Sequence, residues 1–205
     1  HRDALRGEPV RQHARQVVHR RLARRVGEHA RERRERGERA DVDDRAALPA
    51  LDILVNNAGM NIPQPFVDVS EANLDKVLNL NIRAMFITAQ AAVKKMLERS
   101  DCKQRGGVII NITSQMGHVG APTRTVYCLT KHGIEGFTKA LAVELAPHNI
   151  RVNTLAPTFI ETPMTRPFFQ NEAFRADTLK RIKLGRLGQM EDLTGAIVFL
   201  ASDAA

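Results

Sequence analysis

Three short apolar runs, each closed by a turn and separated by long helical stripes, constrain this chain more than anything else in it. Leu51-Asp52-Ile53-Leu54-Val55-Asn56 ends at Asn57-Ala58-Gly59, Val108 to Ile112 ends at Thr113-Ser114, and Ile150 to Leu155 ends at Ala156-Pro157. Runs of this length bounded by turn residues read as buried strands. Between the first two, Ser70 is placed to cap a helix and Glu71 falls in its first turn. Leu74, Val77, Leu78, Met85, Phe86, Ala89, Val93, Met96 and Leu97 then recur at helical spacing. Gly106-Gly107 opens the second strand. A second long helix is expected from about Arg124 to Leu145, with Val126, Leu129, Ile134, Phe137 and Leu141 as its stripe and Pro147 and Asn149 as its stop. Residues 158–184 read as irregular, and a last helix follows Glu191-Asp192 through Leu193, Ile197 and Leu200. Wholly apolar strands alternating with helices mean an α/β fold, a parallel sheet covered by helices.

Composition narrows the class. Apolar residues make up 43% of the 205, enough for a core. The longest apolar stretches, such as Ala196 to Ala201, fall far short of the roughly 20 residues of a membrane span. Cys102 and Cys128 are too few for a disulfide framework or a four-ligand zinc site. A reducing, cytoplasmic setting is expected, with no membrane partner and no metal; His118 and His132 read as ordinary polar residues.

Residues 1–50 follow another grammar. They hold 14 arginines against 9 acids, and no Lys, Ile, Phe, Met, Tyr or Trp. Arg24/Glu28, Glu32/Arg36 and Glu35/Arg39 are spaced to support a solvated helix. The segment reads as a separate Arg-rich region, 1–50, helical or disordered, ahead of a catalytic portion, 51–205. A basic nucleic-acid arm is the weaker alternative, because glutamates interleave the arginines and no aromatic is present to stack on bases. A misread frame or misassigned start joined to a partial enzyme would give the same abrupt change.

In open parallel sheets, ligands bind beyond the carboxyl ends of the strands. Those ends carry Asn56 to Gly59, Ser114, and Pro157 to Thr162. Tyr127, the only tyrosine, and Lys131 lie four apart at the start of the second long helix, on one face. An ammonium beside a phenol is expected to lower its pKa and make it a usable acid or base for an alcohol–carbonyl pair. Ser114 supplies a hydroxyl for the substrate oxygen. Asn81 interrupts the first stripe, so it must either bond nearby backbone or serve as a relay behind the site.

Asn56-Asn57-Ala58-Gly59, Asn81, Ser114, Tyr127-x-x-x-Lys131 and Pro157 with Ile160 and Thr162 together resemble the short-chain dehydrogenase/reductase family over 51–205. The resemblance implies a partial doubly wound, Rossmann-type sheet lacking the first βαβ unit and the last strand. It implies NAD or NADP as cofactor and a small alcohol or ketone as substrate. In its terms Asn81, Ser114, Tyr127 and Lys131 are catalytic, and Asn56, Ala58, Gly59, Tyr127, Lys131, Pro157, Ile160 and Thr162 face the cofactor. Ser114, Gln115 and His118 face the substrate; with Arg124 they suit a sugar-like or hydroxy-acid substrate, with a 3-oxoacyl thioester also possible. Met164, Phe168, Phe169 and Phe174 should make part of the pocket apolar. A dimer or tetramer is expected through the two long helices, with Ile82, Ala92 and Val143 as contact candidates.

Three departures stand out. The family's Gly-rich turn for the pyrophosphate is missing from 1–50, the text stops at Ala205 where the family continues, and Thr158 replaces the usual glycine after Pro157. A non-catalytic scaffold that pairs through its helices is therefore the rival reading.

Overall fold

The computed structural model describes residues 51–205. Everything expected of 1–50, including its helix, its basic arm and its lack of a pyrophosphate turn, lies outside the described residues.

Three parallel strands form the sheet, β1 (Ile53–Asn56), β2 (Gly107–Ile112) and β3 (Ile150–Leu155), in the order β1-β2-β3. The second and third match the apolar runs almost residue for residue; the first starts at Ile53 because Leu51 and Asp52 precede the ladder. β2 lies between two partners and is buried nearly throughout, which is why its sequence is an unbroken apolar run rather than an alternating one. Register stacks Leu54, Ile109 and Val152 in one row across the sheet. That row meets Ala89, Ala92, Met96 and Leu145 to form the core. Two residues further on, the row is polar, Asn56-Asn111-Thr154, and the strands leave the core at that point.

The first long stripe forms α1 (Glu71–Leu78), a π-helical turn (Asn79–Ala84) and α2 (Met85–Leu97) without a break. The Ser70 hydroxyl accepts the Asn73 N–H at 3.3 Å, as its position suggests. Phe86 and Leu97, read as stripe residues, are exposed, while Ala92, read as a contact candidate, is buried in the core. Within α2 the buried face is Met85, Ala89, Ala92 and Met96, at ordinary helical spacing, and Phe86 and Leu97 stand one residue beyond it. A short α3 (Cys102–Arg105) leads into Gly106, at φ 66°, where a Cβ would lie 2.2 Å from the Asn149 carbonyl oxygen. No other residue fits there, and the close approach seats the start of β2 beside β3.

α4 (Thr125–Leu145) is the second long helix. It ends through a 3-10 turn containing Pro147 and a left-handed Asn149. Residues 158–184, expected to be irregular, contain two helices, α5 (Arg166–Phe169) and α6 (Glu172–Arg181). α6 is capped by Asn171, whose Oδ1 accepts from Phe174 N at 3.0 Å. It buries only Thr178, so it has no apolar stripe by which sequence could reveal it. α7 (Met190–Ala201) begins with a reciprocal cap between Gln189 and Asp192. Arg151 of β3 reaches its far end and donates to the carbonyls of Leu200 and Ser202 at 3.1 and 2.8 Å. No helix among the described residues is long and apolar enough to cross a membrane.

Candidate active site

Two members of the polar row, Asn56 and Asn111, begin a hydrogen-bond chain into α4. Asn56 Nδ2 donates to Asn111 Oδ1 at 2.8 Å, and Asn111 Nδ2 donates to Thr138 Oγ1 of α4 at 2.8 Å. Asn56, expected at the cofactor, spends its side chain holding β1, β2 and α4 together. Beyond this row the chain passes Thr113 and Ser114. Ser114 turns into a 3-10 turn, Gln115–Gly117, and its hydroxyl accepts the Met116 N–H at 3.2 Å. Gly117 lies against α4, where a Cβ would stand 3.0 Å from the Lys131 carbonyl oxygen. That contact sets the serine close to the first turns of α4.

Tyr127 and Lys131 project from those turns. The Tyr127 phenol meets the Ser114 side chain. Burial raises its pKa above the ordinary value; the Ser114 side chain pulls it down, Cys128 pushes it up and Arg124 pulls it down. Spacing alone had cast Lys131 as the cation that lowers the phenol. In the structure its Nζ lies against the ring, 5.5 Å from the centroid, and donates to the Ile112 carbonyl at 2.9 Å. Arg124 also draws the phenol's pKa down, more weakly than burial raises it. Lys131 is itself buried, and loss of water lowers its pKa to about 8 against the pull of Glu135.

Asn81 is buried by the π turn and faces the segment after β1. Its Oδ1 accepts from Met60 N, and its Nδ2 donates to Met60 O and to Thr130 Oγ1. Both amide protons are used and Oδ1 takes one donor, so the side chain clamps the 59–60 turn to α4. A Cβ on Gly59 would sit 3.4 Å from Asn81 Oδ1 and 3.7 Å from Lys131 Nζ, so Gly59 borders both. Ala58 is exposed beside it.

The third strand end closes the crevice. Pro157 O accepts the Gln115 N–H at 3.0 Å, and the Thr158 hydroxyl donates to Gln115 Oε1. The threonine that replaces the family's glycine therefore ties the two loops together. Ile160 bridges Gly188 in a parallel pair. Thr162 shares reciprocal hydrogen bonds with Thr165 at the start of α5, so its hydroxyl is engaged in a turn. Phe159, Phe168, Phe169 and Phe174 make an aromatic cluster over this side.

His118, expected at the substrate, is exposed and faces the buried Glu135, Nε2 to Oε1 at 3.3 Å. Glu135 also accepts from Thr113 at 2.6 Å and Thr154 at 3.0 Å. The sequence reading missed this carboxylate. Its signal was there: an acid one turn after Lys131, inside a buried helical stripe.

The family model described as enoyl-(acyl carrier protein) reductase matches residues 18–205. The chain belongs to the short-chain dehydrogenase/reductase family. The match begins within the Arg-rich segment, upstream of where the motifs start. The chain is 44% identical over 153 residues to the 3-oxoacyl-[acyl-carrier-protein] reductase of Thermotoga maritima, covering 75% of this chain and 59% of that protein. It is 39% identical over 155 residues to the 5-keto-D-gluconate 5-reductase of Escherichia coli, covering 76% and 59%. Its fold is similar to a gluconate 5-dehydrogenase of Burkholderia cenocepacia in complex with NADP and tartrate, with a TM-score of 0.70, 35% identity, and coverage of 75% and 58%. The chain thus spans about three-fifths of the length of these relatives.

Proposed function

We propose that residues 51–205 form the catalytic portion of an NAD- or NADP-dependent oxidoreductase that interconverts a small alcohol and its ketone in the cytoplasm. The observation that carries this reading is the meeting of Ser114 and Tyr127 at the strand-end crevice, where the serine draws the phenol's pKa down, with the buried Lys131 ammonium over the phenol ring one turn further along α4.

The ribose end of a dinucleotide fits the residues present. Lys131 Nζ has three protons and gives one to Ile112 O, which leaves two donors for a pair of ribose hydroxyls. Gly59 keeps the space beside them open. Bound there, the nicotinamide supplies or accepts the hydride at the substrate carbon.

The chain's own residues do the rest. Ser114 and Tyr127 hold the substrate oxygen between two hydroxyls. In the reductive direction Tyr127 gives its phenolic proton to that oxygen as the C–H bond forms, and in the oxidative direction it takes the proton back. Arg124 and Ser114 stabilise the phenolate left behind, against the burial that disfavours it. Gln115, linked to Thr158, flanks the substrate beside Ser114. A sugar-like or hydroxy-acid substrate suits these polar groups and the names of the gluconate-type relatives. The phenylalanine cluster favours a second reading, a 3-oxoacyl thioester.

The test is Tyr127→Phe. Loss of the acid/base group should cut turnover by about 10²–10⁴-fold or more with little change in folding. Retention of most activity would remove Tyr127 from the chemistry.

A further inference from the structure

Among the described residues Arg124 has no ion-pair partner in this crevice. Other shielded arginines of the described residues are matched: Arg99 pairs with Asp52 and Asp101, and Arg151 serves the carbonyls that end α7. The half-buried Arg124 bonds only its own neighbour, through Nη1 to Thr123 O and Oγ1 at 3.4 and 3.0 Å. Its guanidinium lies 5.7 Å from the centre of the Phe168 ring in the aromatic cluster. Burial lowers its pKa, so the folded chain bears the cost of a partly desolvated charge that no acid among the described residues repays.

The backbone behind it is strained. Thr123 has φ 59°, a region where a β-branched residue is a rare outlier. Its carbonyl is held there by the Gln64 N–H at 3.2 Å. Outliers of this kind persist where the surroundings enforce them, and they cluster at ligand clamps. Here the strained turn fixes the residue that starts α4. Tyr127 follows three residues later, on the same side of the helix and about 4.5 Å further along its axis.

Resting on the catalytic reading above, we infer that Arg124 anchors a carboxylate of the substrate, which makes the substrate class a short-chain hydroxy or oxo acid. A guanidinium can grip both oxygens of a carboxylate in a planar fork. With the reacting oxygen held by Ser114 and Tyr127, that carboxylate stands only a few bonds from the reacting carbon. A neutral polyol or a long acyl thioester would leave Arg124 unmatched.

The test compares tartrate, a four-carbon hydroxy diacid, with threitol, the same carbon skeleton without charge. Tyr127 is the only tyrosine and there is no tryptophan, so intrinsic phenol fluorescence reports from beside Arg124. Tartrate should change that emission saturably and bind more tightly than threitol. Arg124→Gln should weaken tartrate by at least about tenfold, Arg124→Lys should recover part of the loss, and threitol should titrate alike in all three proteins. Equal tartrate affinity in the parent and the Gln variant, or no preference for tartrate over threitol, overturns the inference. The readout needs no hydride transfer. A chain inactive in every turnover assay that still loses tartrate in the Gln variant would sink the catalytic reading alone. Activity that depends on Tyr127, with tartrate indifferent to Arg124, would sink the carboxylate anchor alone.

Discussion

Asn81 closes both halves of its carboxamide on the main chain of Met60. The Met60 N–H donates to Oδ1 at 2.8 Å, and Nδ2 donates to Met60 O at 2.9 Å. The other Nδ2 proton goes to Thr130 Oγ1 at 3.1 Å, and that hydroxyl donates to the Tyr127 carbonyl at 2.8 Å. One buried amide on the π turn thus joins the segment leaving β1 to the turn of α4 that carries Tyr127.

Asn81→Ala should therefore destabilise the fold by about 2–4 kcal/mol, because it strands the Met60 main-chain groups and the Thr130 hydroxyl at once. Asn81→Asp keeps an acceptor for the Met60 N–H, loses both donors and brings in a charge, so it should fare no better than Ala. Urea unfolding of the three proteins gives the comparison. A loss below about 0.5 kcal/mol in both variants would mean that water replaces the clamp.

Lys131 makes stability depend on pH. Its folded-state pKa, about 8, lies below the ordinary 10.5 because burial strips water from the ammonium. Between those values the unfolded chain binds a proton that the folded chain has released, so stability rises with pH. The group's unfavourable contribution is fully present below about pH 8 and is relieved as pH climbs towards 10.5. From about pH 7.5 to 9.5 the gain is about 2 kcal/mol from this residue. Lys131→Met should abolish that share of the slope. Unfolding midpoints measured across the window in both proteins provide the check; parallel curves would contradict the assignment.

The parallel sheet, both long helices and the strand ends were legible because each rests on one local signal: an unbroken apolar run, a periodic stripe or a turn residue. Ser114, Tyr127 and Lys131 were legible because spacing on a strand end or helix face fixes where they stand. The π turn was not, since its only trace is one asparagine out of place. The partners of Glu135 and the tasks of Arg124 and His118 depend on which side chains meet across three elements, and no local pattern records that. The case of Lys131 shows the limit: spacing put it beside Tyr127, but only the fold shows that its Nζ sits over the ring and donates to the Ile112 carbonyl.

Self-association should use the outer faces of α2 and α4. Phe86, Leu129 and Val143 are 49%, 60% and 79% exposed there, and Phe86 packs on Phe137 with ring centres 5.4 Å apart. Apolar groups concentrated on one face call for a partner, and two-fold pairing of that face is the commonest solution. The double variant Leu129→Glu, Val143→Glu should shift the protein to monomer at micromolar concentration in light scattering. A parent protein that is already monomeric would remove this face from assembly.

Glu135 lies between His118 and Lys131 and also carries the Thr113 and Thr154 hydroxyls. Its carboxylate can matter as a hydrogen-bond acceptor or as a charge, and two variants separate these. Glu135→Ala leaves two buried hydroxyls without their acceptor and should cost about 2–4 kcal/mol. Glu135→Gln keeps the side-chain length, and each hydroxyl can rotate to suit the amide, so it should cost about 1 kcal/mol. The charge is lost in both. Because that charge holds the Lys131 pKa up against burial, the rise of stability with pH should begin below pH 8 in the Gln variant. The expected signature is thus a nearly intact fold whose pH profile has moved to lower pH. A Gln variant as unstable as Ala would assign Glu135 to charge alone, and an unmoved profile would show that Lys131 does not feel it.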